Sequence, residues 1–251
     1  MSLRALMAER AVTGTFLKIP RFEVIDLLAI AGYDFVVCDY EHAQMSVHEA
    51  CDIVRAGIGR GMPVLVRIPT LDRGEINRLL EAGAAGIQLA RGSGNGAVAL
   101  RQLISYPPIG TRSVSMAQPA ADYGIGVSLT THLERSNSEV LAIGQFETAD
   151  YAEGIDSAMA SLDVAFIGPV DLSVDLGTPG DLGSEPMQQA AAVIEAAAER
   201  ADVPMGIFAG SADAAESARA KGYRYIVVGS DLTMLSTGAT ALLERKLAGA
   251  T

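Results

Sequence analysis

The stretch Val164-Ala165-Phe166-Ile167-Gly168-Pro169-Val170-Asp171-Leu172-Ser173 decides how the chain is read. A short apolar run stops at Gly-Pro, and a carboxylate follows. Uninterrupted apolar runs bounded in this way mark strands buried on both faces, as parallel strands are. The C-terminal end of this strand therefore presents an acid. Other runs end in the same manner: Phe35-Val36-Val37-Cys38 meets Asp39-Tyr40-Glu41-His42, Pro63-Val64-Leu65-Val66 meets Arg67, and Val140-Leu141-Ala142-Ile143-Gly144 meets Gln145-Phe146-Glu147. Apolar strands that finish in charged residues are what a site at the mouth of a parallel barrel requires.

Working outward from these runs, strands are predicted at 13–18, 35–38, 64–68, 86–90, 140–146, 164–167, 204–209 and 225–229. Helical spacing separates them. Val24, Leu27, Leu28 and Ala31 form one apolar face that stops at Gly32. Val47, Ala50, Cys51 and Val54 form another behind Ser46 as N-cap, and Ile76, Leu79 and Leu80 a third with Asp72 near its start. Eight strands alternating with eight helical segments predict a single-domain α/β chain, a (β/α)8 TIM barrel over residues 1–251. A doubly wound open sheet would need a switch point and fewer strands. Tyr106-Pro107-Pro108-Ile109-Gly110 ends the fourth helical segment. The polar connection that follows, about 107–138, is expected to form a lid-like loop or short helical insert over the barrel mouth.

The chain has 251 residues, 49% of them hydrophobic and 20% charged, enough for one sizeable core. A net charge of -11 without any Lys/Arg run argues against nucleic acid as a partner. No apolar run is long enough to span a membrane, and the first ten residues are too charged for a secretory leader. Cys38 and Cys51 lack metal-type spacing and read as core thiols of a reducing compartment, so the expected location is the cytoplasm.

Glu147 and Asp171 lie just past sequential strands, where two carboxylates with open positions suit Mg²⁺ or a similar hard cation. The alternative is that each acid caps its following helix. Asp39 is separated from His42 by two residues and could fix its tautomer; Glu41 competes for that role or could pair with an arginine. Arg67 at a strand end must find an anion or a carbonyl, either a substrate oxygen or a neighbouring acid. The N–H groups of Val170 and Asp171, after Gly168-Pro169, suit a carboxylate.

Together, Asp39-Tyr40-Glu41-His42-Ala43, Val66-Arg67, Tyr106-Pro107-Pro108-Ile109-Gly110-Thr111-Arg112, Gln145-Phe146-Glu147-Thr148 and Phe166-Ile167-Gly168-Pro169-Val170-Asp171-Leu172-Ser173 resemble the HpcH/HpaI aldolase family, the metal-dependent class II pyruvate aldolases, from about Thr13 to Leu243. The resemblance implies that Glu147 and Asp171 hold Mg²⁺, Mn²⁺ or Co²⁺. It implies that Gln145, Gly168, Pro169, Val170 and Asp171 bind the keto acid, that Arg67 stabilises the enolate oxygen, and that His42, oriented by Asp39, manages the aldol proton. It further implies trimers paired into hexamers, with the last helix exchanged between barrels.

The expected activity is retro-aldol cleavage of a 4-hydroxy-2-oxo acid to pyruvate, or an analogue such as hydroxypyruvate, and an aldehyde. A malyl- or citramalyl-CoA-type lyase and a keto-acid-binding barrel without turnover are the alternatives. A Schiff-base route would need a strand-end lysine, and Lys18 alone comes near one. The chain departs from the family's pattern at Glu81, where an Asp often reaches the neighbouring subunit's site, at Arg91, where Val-Pro-Met or similar is usual after strand four, and at Ser113, usually Gly.

Overall fold

Strands β1 (Val12–Leu17), β2 (Phe35–Asp39), β3 (Val64–Ile68), β4 (Gly86–Leu89), β5 (Leu141–Phe146), β6 (Val164–Ile167), β7 (Met205–Ala209) and β8 (Tyr225–Ser230) pair in chain order, all parallel, and β8 closes onto β1. The structure is a computed structural model and describes residues 2–248. The predicted TIM barrel is the observed architecture.

The two-residue period of a strand sorts the side chains. Phe35, Val37, Leu65, Leu141, Ile143, Val164, Phe166, Tyr225 and Val227 fill the lumen as one cluster. The residues between them, among them Val36, Cys38, Val64, Val66, Ala142, Ala165 and Ile167, pack outward in a second cluster with the helices. Space in the lumen is tight: a Cβ on Gly14 would fall 2.3 Å from the Phe35 ring. Carried one step further, the same alternation puts Asp39, Arg67, Gln145, Glu147 and Gly168 on the lumen side, above this apolar plug and at the C-terminal ends of their strands.

Helix α1 (Leu3–Glu9) was not foreseen. It is capped by Ser2, which accepts from the Ala5 N–H, and it sets Leu3 and Met7 into the lumen cluster. The outer helices follow in order: α2 (Phe22–Ala31), α3 (Val47–Gly59), α4 (Arg73–Ala82), α5 (Gly94–Ile104), α6 (Leu129–Glu139), α7 (Ile155–Met159), α8 (Pro169–Asp175), α9 (Glu185–Ala201), α10 (Ala212–Ala220) and α11 (Asp231–Ala248). Ser46 and Glu49 form the full reciprocal capping box at the start of α3. Gly32 ends α2 at φ 91, a conformation that costs glycine nothing.

The connection after α5 does not cover the mouth. It forms a short 3-10 helix (Pro119–Gly124) and α6, and the first of these packs against α4. With Pro63, Ala84, Ala85 and Val140, which lead into β3, β4 and β5, it lines a cavity of about 450 Å³ at the N-terminal end of the barrel. The reason is topological: a segment joining the end of a helix to the start of the next strand returns to the face opposite the site. Its buried Arg112 stacks on Tyr106 at 4.6 Å and donates to Ser136 Oγ at 3.0 Å, so that motif arginine supports the connection. Helix α11 touches the barrel through β1 and β8 and leaves Leu235, Leu242 and Leu243 exposed. No helix among the described residues is long and apolar enough to cross a membrane.

Candidate active site

The register pairs Asp39 with Arg67 and Arg67 with Gln88 across adjacent strands. Asp39 is wholly buried, and four groups converge on its carboxylate, among them the Glu41 N–H, which donates to Oδ1 at 3.2 Å. Arg67 donates Nε to Oδ1 at 3.0 Å and Nη2 to Oδ2 at 2.8 Å. Lys18 Nζ lies 2.7 Å from Oδ2. The backbone N–H of His42 reaches Oδ1 at 3.1 Å. Burial alone would push the Asp39 carboxyl up, but Arg67, Lys18 and the His42 N–H outweigh it and hold the carboxyl at about 2. The Arg67 guanidinium also stands 4.3 Å over the Phe16 ring and 3.3 Å from Glu41 Oε2.

This arrangement corrects one expectation. Asp39 does not orient the His42 imidazole; it binds that residue's main chain. The ring Nε2 lies instead 3.6 Å from Glu41 Oε2. The reason is location: Asp39 points into the barrel, where two cations claim it, whereas the His42 ring sits in a turn beyond the strand and is 54% exposed. Glu41, the competitor for that role, is the acid beside the imidazole, and it also stands beside an arginine, Arg67.

A second chain of contacts crosses the lumen. Tyr225 donates to Gln88 Oε1 at 3.3 Å, Gln88 Nε2 donates to Gln145 Oε1 at 2.7 Å, and Gln145 Nε2 donates to Glu147 Oε2. The other oxygen of Glu147 accepts the Arg91 N–H at 2.7 Å. Gly168 makes this packing possible: a Cβ there would come within 2.9 Å of Glu147 Oε2 and 3.1 Å of Gln145 Nε2. Burial pushes the Glu147 carboxyl up, and the charges of Glu41 and Asp171 add to that push, against the opposing bonds from Gln145 and Arg91.

Two cavities open at the mouth. One, of about 260 Å³, is lined by Phe16, Lys18, His42, Arg67, Gln145, Gly168, Pro169, Val170 and Asp171, together with Ser230 and Thr233. The other, of about 280 Å³, is lined by Glu41, His42, Arg91, Glu147, Asp171 and Asp175. They meet at His42 and Asp171. Asp171 sits in the first turn of α8 with no hydrogen-bond partner for its carboxylate among the described residues, and no acceptor there takes the Val170 or Asp171 N–H. The predicted site residues His42, Arg67, Gln145, Glu147, Gly168, Pro169, Val170 and Asp171 therefore gather at one end of the barrel. Glu81 does not join them: it lies in the last turn of α4, and its charge acts on Arg112.

A hard divalent ion fits this donor set. No group of three or more His, Cys, Asp or Glu side chains able to hold a metal occurs among the described residues; Glu147 and Asp171 line one cavity, and two carboxylates there would leave positions open to water or substrate. Glu147, buried and crowded by other carboxylates, is in the electrostatic situation that a cation relieves.

The profile of the HpcH/HpaI aldolase/citrate lyase family matches residues 13–237. The chain belongs to that family. The hydroxypyruvate/pyruvate aldolase of Paraburkholderia phytofirmans is 30% identical over 241 residues, 92% of each chain. The 4-hydroxy-2-oxo-heptane-1,7-dioate aldolase of Salmonella typhimurium is 31% identical over 261 residues, 98% of this chain and 96% of that one. The crystal structure of an HpcH/HpaI aldolase from Desulfitobacterium hafniense superposes with a TM-score of 0.90 at 29% identity, covering 96% of this chain and 95% of the other. With relatives named aldolases at about 30% identity over most of its length, the chain is a lyase of the aldolase type.

Sequence reasoning passed over Lys18, Gln88 and Tyr225 as parts of this site. Strand parity held the signal, because all three share the lumen side with Phe16, Arg67 and Val227. Lys18 was weighed only as a Schiff-base nucleophile. Its pairing with Asp39 makes it a counter-ion instead.

Proposed function

We propose that this HpcH/HpaI family member is a class II aldolase that reversibly cleaves a 4-hydroxy-2-oxo acid into pyruvate, or hydroxypyruvate, and an aldehyde. Glu147 and Asp171 would hold the divalent cation: Mg²⁺, Mn²⁺ or Co²⁺. The observation that carries this reading is the convergence of Arg67, Gln145, Asp171 and the free N–H groups of Val170 and Asp171 on one small cavity.

The chemistry follows from those groups. The keto-acid carboxylate takes the N–H groups of Val170 and Asp171, with Gly168 and Pro169 shaping the turn that presents them. Gln145 lines the pocket and steadies Glu147. Breaking the C3–C4 bond sends its electron pair toward the C2 keto oxygen, while the C4 hydroxyl gives up its proton and becomes the aldehyde carbonyl. Arg67 faces the oxygen that gains charge, locked in place by Asp39. His42, where the cavities meet, accepts the hydroxyl proton, with Glu41 beside its ring. A cation at Glu147 and Asp171 supplies a Lewis acid for the keto oxygen.

Three further features belong to the same reading. The exposed leucines of α11 suit an exchange of that helix between barrels, in trimers paired into hexamers. In such an assembly Glu81 would reach a neighbour's mouth rather than its own. The unpaired thiols of Cys38 and Cys51 suit the cytoplasm.

The deciding assay is pyruvate release from 4-hydroxy-2-oxo acids with Mn²⁺ or Mg²⁺. Activity should vanish with EDTA and return when the metal is restored. Full turnover after exhaustive chelation would sink the reading.

A further inference from the structure

We propose that Arg91 is the specificity residue for the aldehyde half of the reaction and anchors an anionic group, a carboxylate or a phosphate, on that aldehyde. The inference rests on the aldolase reading above and names a substrate class for it.

Arg91 stands in the left-handed region at φ 49. A side chain other than glycine, asparagine or aspartate is costly there. The main chain around it is clamped: its N–H donates to Glu147 Oε1 at 2.7 Å, and the Gly92 N–H donates to Gln145 O at 3.0 Å. The N–H contact needs no side chain, and a glycine would make it without strain. Glycine follows at positions 92 and 94, yet the left-handed position after β4 carries a guanidinium. The side chain is what the strain retains.

That side chain lines the cavity beside Glu147 and Asp171, and His42 lines it too. Two acids of the cavity are engaged elsewhere. Asp175 Oδ2 accepts the Ala149 N–H at 2.6 Å, and Glu41 lies 3.3 Å from Arg67. Glu147 and Asp171 are the proposed cation ligands. Among the described residues the exposed Arg91 enters no ion pair, so its positive charge at the cavity is free to meet an incoming anion. The keto acid fills the adjoining cavity, on the Arg67 side. An aldehyde approaching C3 of the keto acid past His42 must come through the Arg91 cavity, and its far end meets the guanidinium. A planar fork of N–H donors matches carboxylate and phosphate oxygens.

The test measures kcat/KM for aldol addition of pyruvate, with Mn²⁺, to matched aldehydes. Succinic semialdehyde is compared with butanal, and glyceraldehyde 3-phosphate with glyceraldehyde. The wild-type protein should favour the anionic member of at least one pair, and that pair identifies carboxylate or phosphate. Arg91→Met should reduce the preference about tenfold, the size of one charge-assisted contact at a partly open site. Arg91→Lys should keep most of it. Should the methionine variant fail to fold, Arg91→Gly, which suits φ 49, gives the same reading. No anionic preference in the wild type, or an unchanged preference in the variants, overturns the proposal. Deuterium exchange into the methyl group of pyruvate by the wild-type protein needs no aldehyde and separates the two readings. Exchange with an unchanged aldehyde preference removes only the role of Arg91, whereas absence of both exchange and turnover removes the aldolase reading as well.

Discussion

Arg67 and Asp39 meet as a two-bond fork between adjacent strands, at 3.0 and 2.8 Å, and the register places their Cα atoms directly opposite each other. Lys18 shares the same carboxylate, and Glu41 Oε2 lies 3.3 Å from Arg67, so two cations meet two acids. The positive charge of Lys18 and Arg67 lies on the wall of the proposed keto-acid cavity. It is positioned before substrate arrives, which is the condition under which such charge contributes most to a developing oxyanion.

Asp39→Asn should cost stability first. It leaves the buried Arg67 with Glu41 alone and takes the carboxylate from half-buried Lys18, a loss of about 3–5 kcal/mol for a broken buried pair. Urea denaturation of the variant against the parent measures it. A variant within a few tenths of a kcal/mol of the parent would show that the fork contributes little.

Arg67→Lys keeps the charge and loses the fork. The ammonium cannot hold both Asp39 oxygens and face a substrate oxygen at once. Steady-state assays should show kcat/KM reduced about 100-fold or more, as when a fixed oxyanion donor is removed, with a smaller stability loss than in Asp39→Asn.

Gly168→Ala tests the packing of the cation site by size alone. The added carbon would stand 2.9 Å from Glu147 Oε2 and must push that carboxylate aside. Mn²⁺ affinity, read by titration calorimetry, and kcat should both fall, with a smaller loss in Tm, because the added carbon also crowds Gln145 Nε2 and the Glu147 Cβ at 3.1 Å. Unaltered Mn²⁺ binding would mean that Glu147 is not held where the metal needs it.

Glu147→Gln removes a charge from the same oxygens. The amide is a weaker ligand for a hard cation, so Mn²⁺ affinity should drop at least about tenfold. Electron paramagnetic resonance of free Mn²⁺ reads this without any substrate.

Acid should loosen the barrel through Asp39. Its folded carboxyl sits at about 2, below its unfolded value. A depressed carboxyl contributes stability that is fully present above the unfolded value and is lost as pH falls through the folded one. Between pH 4 and 2 the parent should therefore lose on the order of 2 kcal/mol that Asp39→Asn, having nothing to titrate there, does not lose. Parallel slopes for the two proteins over that range would contradict the assignment.

The amino-acid sequence by itself determined the barrel and the height of the site in it. Runs such as Val164–Ile167 and Phe35–Cys38 are strands for local reasons, and a period of two sends alternate residues to the lumen wherever the strand ends up. The acid and amide ends at Asp39, Gln145 and Glu147, and Arg67 with them, had to appear at one mouth once eight strands closed. The capping box at Ser46 and Glu49 was equally local. Tertiary structure alone decided who pairs with whom. Asp39 joins Arg67 and Lys18 rather than the His42 ring because inter-strand register, a property of no single segment, sets those atoms opposite each other. The course of residues 107–138 was likewise invisible, since polar sequence without a period leaves open which end of the barrel it covers. Gln88 and Tyr225 needed the closed lumen, which brings β4 and β8 side chains into contact from strands far apart in the chain.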